Sequence, residues 1–250
     1  MEANLARSRG AAGYSDCRSP YACYSRFSSG WFSLKRTPFD VFETAYGAFY
    51  DAGVQSRLAP LGGFLMWGAD VERFLAAMAA GVACNKGQLV VDCPTGGGIT
   101  YARGLPQTQG RLLGVDLSRL MLTRATARAD KLPPAQRRHL ELVRGDATRL
   151  PLADAGADRV LCFNSLHCIP DHRTVLREFK RVLKPKGDLV GTTLIADAPL
   201  PWQVNVQAAR LSGFFAPPDS RRLRADARAA GFRHWKTERT GALLFFRGHN

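Results

Sequence analysis

The chain has 250 residues, 46% of them hydrophobic, and a net charge of +14. That content can bury one large α/β core, and the absence of any apolar run of about 18 residues excludes a transmembrane helix. Its six cysteines (17, 23, 84, 93, 162 and 168) form neither a Cys-x-x-Cys pair nor a zinc-ligand spacing, so metal is not expected and a reducing, cytoplasmic compartment fits best.

Residues 1–38 are rich in Ser, Arg, Gly and Tyr, with only Glu2 and Asp16 acidic. They read as a disordered tail, although the composition also resembles an organelle transit peptide. From there a single domain over 39–250 is expected, opened by an N-terminal helical cap over 39–84. Within it Phe42, Ala45, Tyr46, Phe49 and Tyr50 keep helical spacing. Residues 61–68 read as apolar and flexible, and 71–83 as a helix.

The core begins with a buried strand from Leu89 that ends on Asp92, followed by Cys93, Pro94, Thr95 and three glycines, Gly96 to Gly98. Glycine lets backbone approach a ligand closely, and a helix is expected to start near Gly98. The next strand, 110–116, ends on Asp116, and Ser118 is a natural helix cap. A third strand runs from Leu140 towards Asp146 and Ala147. A fourth, 158–164, ends on Asn164. Polar residues at four successive strand tips describe one site, because ligands of open parallel sheets bind beyond the carboxyl ends of the strands. A helix is expected over 171–184, stopped by Pro185 and Gly187, then a fifth strand over 187–194. A basic helix capped by Asp219 or Ser220 should stop at Gly231. Two strands, 233–239 and 242–247, close the chain around Gly241. The alternation of strand and helix predicts a doubly wound, mostly parallel sheet with a C-terminal antiparallel hairpin strand.

The order of Asp92 with its glycine loop, Asp116, Gly145 with Asp146 and Ala147, then Asn164 through His167, resembles the class I S-adenosylmethionine-dependent methyltransferases, small-molecule branch. The resemblance covers about residues 39–246 and implies a Rossmann-like methyltransferase fold with S-adenosyl-L-methionine as cofactor. It implies that Asp92 and Gly96, with Gly98, lie near the methionine moiety, and that Asp116, beside Leu117, holds the ribose hydroxyls. Asp146 and Ala147 would meet the adenine edge, and Asn164 the methionine amino group through its backbone. Tyr50 resembles part of a Tyr-Asp pair that folds over the cofactor. Pro94 departs from the pattern: it stands where the family's first loop glycine usually is, and proline has no N–H to donate. A dinucleotide fingerprint would need a small residue at position 101, which is Tyr101.

Residues 197–218 hold Pro199, Pro201, Trp202, Phe214, Phe215, Pro217 and Pro218. They read as a cap insertion over the mouth of the site, with Trp202 and Phe214 against the acceptor. His167 is the candidate catalytic base, with a shaping role as the alternative. The expected activity is methyl transfer to a small, apolar or aromatic acceptor. A catalytically silent partner subunit and an RNA methyltransferase are the alternatives. Nucleic acid is not the expected partner, since the arginines are scattered over helix faces without interleaved aromatics. Nothing in the sequence sets the oligomeric state.

Overall fold

The computed structural model describes residues 56–105, 108–211 and 215–249. The tail expected over 1–38, the helix expected around Tyr50, and Phe214 lie outside these residues. Seven strands form one sheet: β1 (Leu89–Asp92), β2 (Arg111–Asp116), β3 (Leu140–Arg144), β4 (Ala157–Phe163), β5 (Leu183–Leu194), β6 (His234–Thr240) and β7 (Leu243–His249). Their order is β3-β2-β1-β4-β5-β7-β6. The first five pair in parallel, and β7 runs antiparallel to both β5 and β6. This is the expected doubly wound sheet with its antiparallel closing hairpin.

The central strands are unbroken apolar runs because helices cover both faces of the sheet. Val91, Leu112, Leu113, Val160, Leu161 and Leu189 are fully buried. Strand order reverses between β1 and β4, which opens the crevice at their carboxyl ends. The helices are α1 (Ala59–Trp67), α2 (Val71–Val82), α3 (Ile99–Gly104), α4 (Arg119–Ala129), α5 (Pro134–Arg137), α6 (His172–Val182), α7 (Trp202–Leu211) and α8 (Ser220–Ala229). Side-chain caps start several of them, those at Ser118 and Asp219 as the sequence predicts. Ser118 accepts from Met121 N–H, Asp171 from Thr174 N–H, and Asp219 from both Arg221 and Arg222 N–H. On α6, Val175, Leu176, Phe179 and Val182 form the face turned to the core.

Three elements differ from the sequence expectation. Helix α6 stops at Val182 rather than Lys184, and β5 begins at once with Leu183 pairing to Ala157 across β4. The register shifts between Ala157 and Arg159, so Pro185 sits at an irregularity where its missing N–H breaks no regular ladder. The stretch read as flexible is helix α1, with Pro60 in its first turn, a position where proline is pre-set for a helix. Within 197–218 the structure forms helix α7. Pro199 and Pro201 precede Trp202, and Pro217 and Pro218 follow the helix, so none of the four interrupts it.

Strands β4 and β5 approach closely at Gly191, where a Cβ would stand 2.0 Å from the Cys162 carbonyl oxygen and 2.5 Å from the Phe246 ring. Neither neighbour can retreat without disturbing the ladder. Gly191→Ala is therefore expected to cost about 1–3 kcal/mol, seen as a lower urea midpoint at unchanged slope. An unchanged midpoint would show that the sheet yields there.

Candidate functional site

The site is built on the carboxyl edge of β1, β2 and β4. Asp92 ends β1 and Asp116 ends β2, and the loop between β1 and α3 passes between them. Gly96 N–H donates to Asp116 Oδ2 at 2.7 Å, and Ser118 N–H donates to Oδ1 at 2.9 Å. One carboxylate thus ties the glycine loop to the start of α4. Thr95 N–H donates to Val115 O at 2.9 Å, and Gly98 N–H to Thr95 O at 3.1 Å. Three of the loop's N–H groups are therefore committed within the protein. A ligand at this loop meets bare backbone and carboxylates more than a nest of donors.

The two outer glycines differ in what they make room for. Gly96 (φ 53°) and Gly98 (φ 75°) both adopt the left-handed region, which other residues resist. A Cβ on Gly98 would strike the Tyr101 ring at 2.5 Å, whereas one on Gly96 would meet nothing within 4 Å. Gly98 is packed shut, and Gly96 faces open space where a ligand could lie against the main chain.

Beneath the loop is a network that the sequence reading missed. Thr95 Oγ1 donates to Asp92 Oδ2 at 2.8 Å and also bonds the Tyr101 hydroxyl, whose side chain is fully buried. Gly114, amid the apolar run of β2, makes room for this ring: a Cβ there would lie 2.2 Å from the Tyr101 hydroxyl. That glycine was the available signal. Asp92 is 1% exposed. Burial pushes its carboxyl up to about 7, the Thr95 and Thr100 hydroxyls hold it down, and the Asp116 charge adds to the rise.

The remaining tips are less alike. Asp146 is exposed, and its Oδ1 accepts from Thr148 N–H at 2.8 Å, a local turn contact; Ala147 beside it is buried. Asn164 has φ 52°, and its N–H donates to Thr192 O at 2.8 Å. Any backbone contribution from Asn164 to a ligand thus falls to its carbonyl oxygen. Leu117 is 44% exposed at the tip of β2, an apolar side chain beside the Asp116 carboxylate.

His167 is placed differently from the expectation of a base. It is 2% exposed, stacks on Phe215 with centroids 5.3 Å apart, and burial pushes its imidazole down to about 3. Its Nδ1 accepts from Leu194 N–H at 3.3 Å. With that lone pair engaged and the ring enclosed, the geometry suits a strut between the β4 tip and β5 better than proton transfer to a substrate. Trp202 also stands apart from the carboxylates. Its indole N–H donates to Phe64 O at 3.1 Å, and its ring meets Phe64 edge-on. It locks α7 to α1. That pair borders the same sheet edge, since Ala242 N–H, in the β6–β7 turn, donates to Trp67 O at 2.7 Å. The nearby thiols are protonated: burial raises Cys93, and raises Cys168 to about 12.

Residues 89–191 match the methyltransferase domain family. The chain is 37% identical over 110 residues to a demethylmenaquinone methyltransferase of Oceanobacillus iheyensis, covering 44% of each protein. It is 28% identical over 196 residues to an O-methyltransferase of Penicillium expansum, covering 73% of this chain and 67% of that one. The chain thus spans less than half the length of the first of these relatives. Among solved structures, an S-adenosylmethionine-dependent methyltransferase of Aquifex aeolicus superposes with a TM-score of 0.55 at 18% identity, over 74% of this chain and 91% of that one.

Asp92 makes the site sensitive to pH. Its carboxyl titrates near 7 in the folded chain against an ordinary 3.8. Between these values the folded protein keeps a proton that the unfolded chain has lost, so stability falls as pH rises from about 4 to about 7 and stays lowered above. The loss is on the order of 4 kcal/mol. Asp92→Asn is expected to flatten that slope, so that the variant gains thermal stability relative to wild type at pH 8 but not at pH 4. Parallel melting curves across this range would refute the assignment.

Proposed function

We propose, from the match of residues 89–191 to a methyltransferase domain, that the protein is a class I S-adenosylmethionine-dependent methyltransferase that transfers a methyl group to a small, apolar or aromatic acceptor. The observation that carries this reading is the pair of strand-tip carboxylates, Asp92 beneath the glycine loop and Asp116 clipped to it beside the open Gly96 backbone, at the sheet's switch point. The donor set fits the cofactor. Asp92 is buried, with threonine hydroxyls rather than a cation among the groups that lower its pKa, which suits the cofactor's ammonium. Asp116 keeps its carboxylate where β2 ends, at the place for a ribose diol. When bound, S-adenosylmethionine supplies an activated methyl group whose sulfur leaving group needs no proton.

The chain's own residues then have positioning work. Asp116 fixes the loop through Gly96 and can accept the ribose hydroxyls on its remaining lone pairs. Asp92 holds the amino-acid end, with the Asn164 carbonyl on the adjacent strand tip. Leu117, Asp146 and Ala147 border the adenine end. Helices α1 and α7, joined through Trp202, cap the acceptor side and keep water out. Relatives named for a quinone and for O-methylation support a small acceptor. The enclosed His167 leaves any base to the acceptor's surroundings or to water.

Asp116→Ala is expected to weaken S-adenosylhomocysteine roughly tenfold to a hundredfold, as for loss of hydrogen bonds to a charged group. Asp116→Asn should lose less. Calorimetric titration measures both, and wild-type affinity in Asp116→Ala would sink the cofactor assignment. Trp202→Ala should raise the acceptor KM while cofactor affinity stays within a few fold.

His167 supplies a second test. Its imidazole titrates near 3 when folded against an ordinary 6.5, so it adds stability above that ordinary value that is lost as pH falls towards about 3. His167→Asn should lower the melting temperature and remove this acid sensitivity, while the pH profile of kcat stays that of wild type. A changed kcat profile would restore His167 as the base.

A further inference from the structure

Helix α1 is apolar on every side, yet none of its residues is buried. Leu58, just before it, and Leu61, Phe64, Leu65 and Met66 are exposed, Leu58 by 71%. Beside it α7 presents Val204 and Leu211, the last 89% exposed, at helical spacing on one face, and Leu200 just before the helix is 70% exposed. Of the large hydrophobic side chains exposed among the described residues, all but Leu117 belong to these two helices and the residues that lead into them. The two form one unit: Trp202 donates to Phe64 O and Asn205 Nδ2 to Met66 O at 2.7 Å. Soluble monomers rarely leave so continuous an apolar surface uncovered.

Charge narrows the occupant. The chain carries +14, and exposed arginines adjoin the apolar residues in sequence: Arg57 before Leu58 and Arg210 before Leu211. An apolar helix and the apolar side of an amphipathic one, with arginines next to them in the chain, match a bilayer interface, where apolar side chains enter the acyl boundary and arginines meet anionic headgroups. No helix of the described residues is long and apolar enough to cross a membrane, so the surface rests on the lipid instead of spanning it.

We propose that the α1–α7 face docks the protein on an anionic lipid surface, with the mouth of the site turned towards the bilayer. The proposal stands on this surface alone and needs no particular acceptor.

The test is sedimentation of the full-length protein with vesicles of phosphatidylcholine alone or mixed with phosphatidylglycerol. Wild type is expected to bind the mixed vesicles about tenfold or more tightly than the neutral ones, less so at high salt. The double change Leu65→Asp with Val204→Asp should reduce that binding at least tenfold, while melting temperature and S-adenosylhomocysteine affinity stay at wild type. Three results would overturn the proposal: no binding to mixed vesicles, equal binding by the double variant, or a lower melting temperature in that variant, which would mean the chain itself covers the face. Self-association of wild type that the variant loses, without vesicle binding, would assign the face to a second copy. Cofactor affinity is read separately, so failure here is distinct from failure of the methyltransferase reading.

Discussion

The Asp116 carboxylate organises the site. A buried strand ends there, and its two oxygens take backbone N–H groups from the glycine loop and from the start of α4. Charged acceptors hold such donors more firmly than neutral ones do. The position of Gly96 over open space follows from that clip. So does the burial of Tyr101 beneath Gly98, and hence the enclosed environment of Asp92. This edge of the sheet is thus pre-formed by hydrogen bonds within the chain.

Burial sets the two central titratable groups against each other. Asp92 disfavours its charged form in the fold and His167 does the same, but one is an acid and the other a base. Their effects on stability have opposite signs over overlapping pH ranges. On the proposed reading, the same desolvation that weakens the empty fold would strengthen an ion pair between Asp92 and a bound cation, so that stability would be given up where affinity is gained.

The strands and their polar tips were legible in the sequence because buried parallel strands leave unmistakable apolar runs, and an acid at the end of such a run is conspicuous. Caps at Ser118 and Asp219 were legible for a similar local reason. Helix α1 was not, because a helix apolar all round has no amphipathic period to detect and Gly62 and Gly63 argue against it. Helix α7 was hidden by the prolines that start it. The Thr95–Tyr101 network depends on β2 lying beside the loop, a contact between segments that no local pattern encodes. His167 looked like chemistry in the sequence, since only packing against Phe215 and β5 reveals how enclosed it is.

The hairpin at the chain's end also governs the order in which the molecule can be completed. Helix α1 buries nothing of its own, and short helices hold poorly without tertiary support. Its anchors to the sheet include Ala242, and Thr240 bonds Asp70 just beyond it, 170 positions earlier in the chain. The sheet's hold on α1 therefore forms only after β6 and β7 have been made, although α7 can bind α1 earlier through Trp202 and Asn205. A chain truncated before β6 would keep the tips of β1 and β2 and lose the clasp of Ala242 on Trp67.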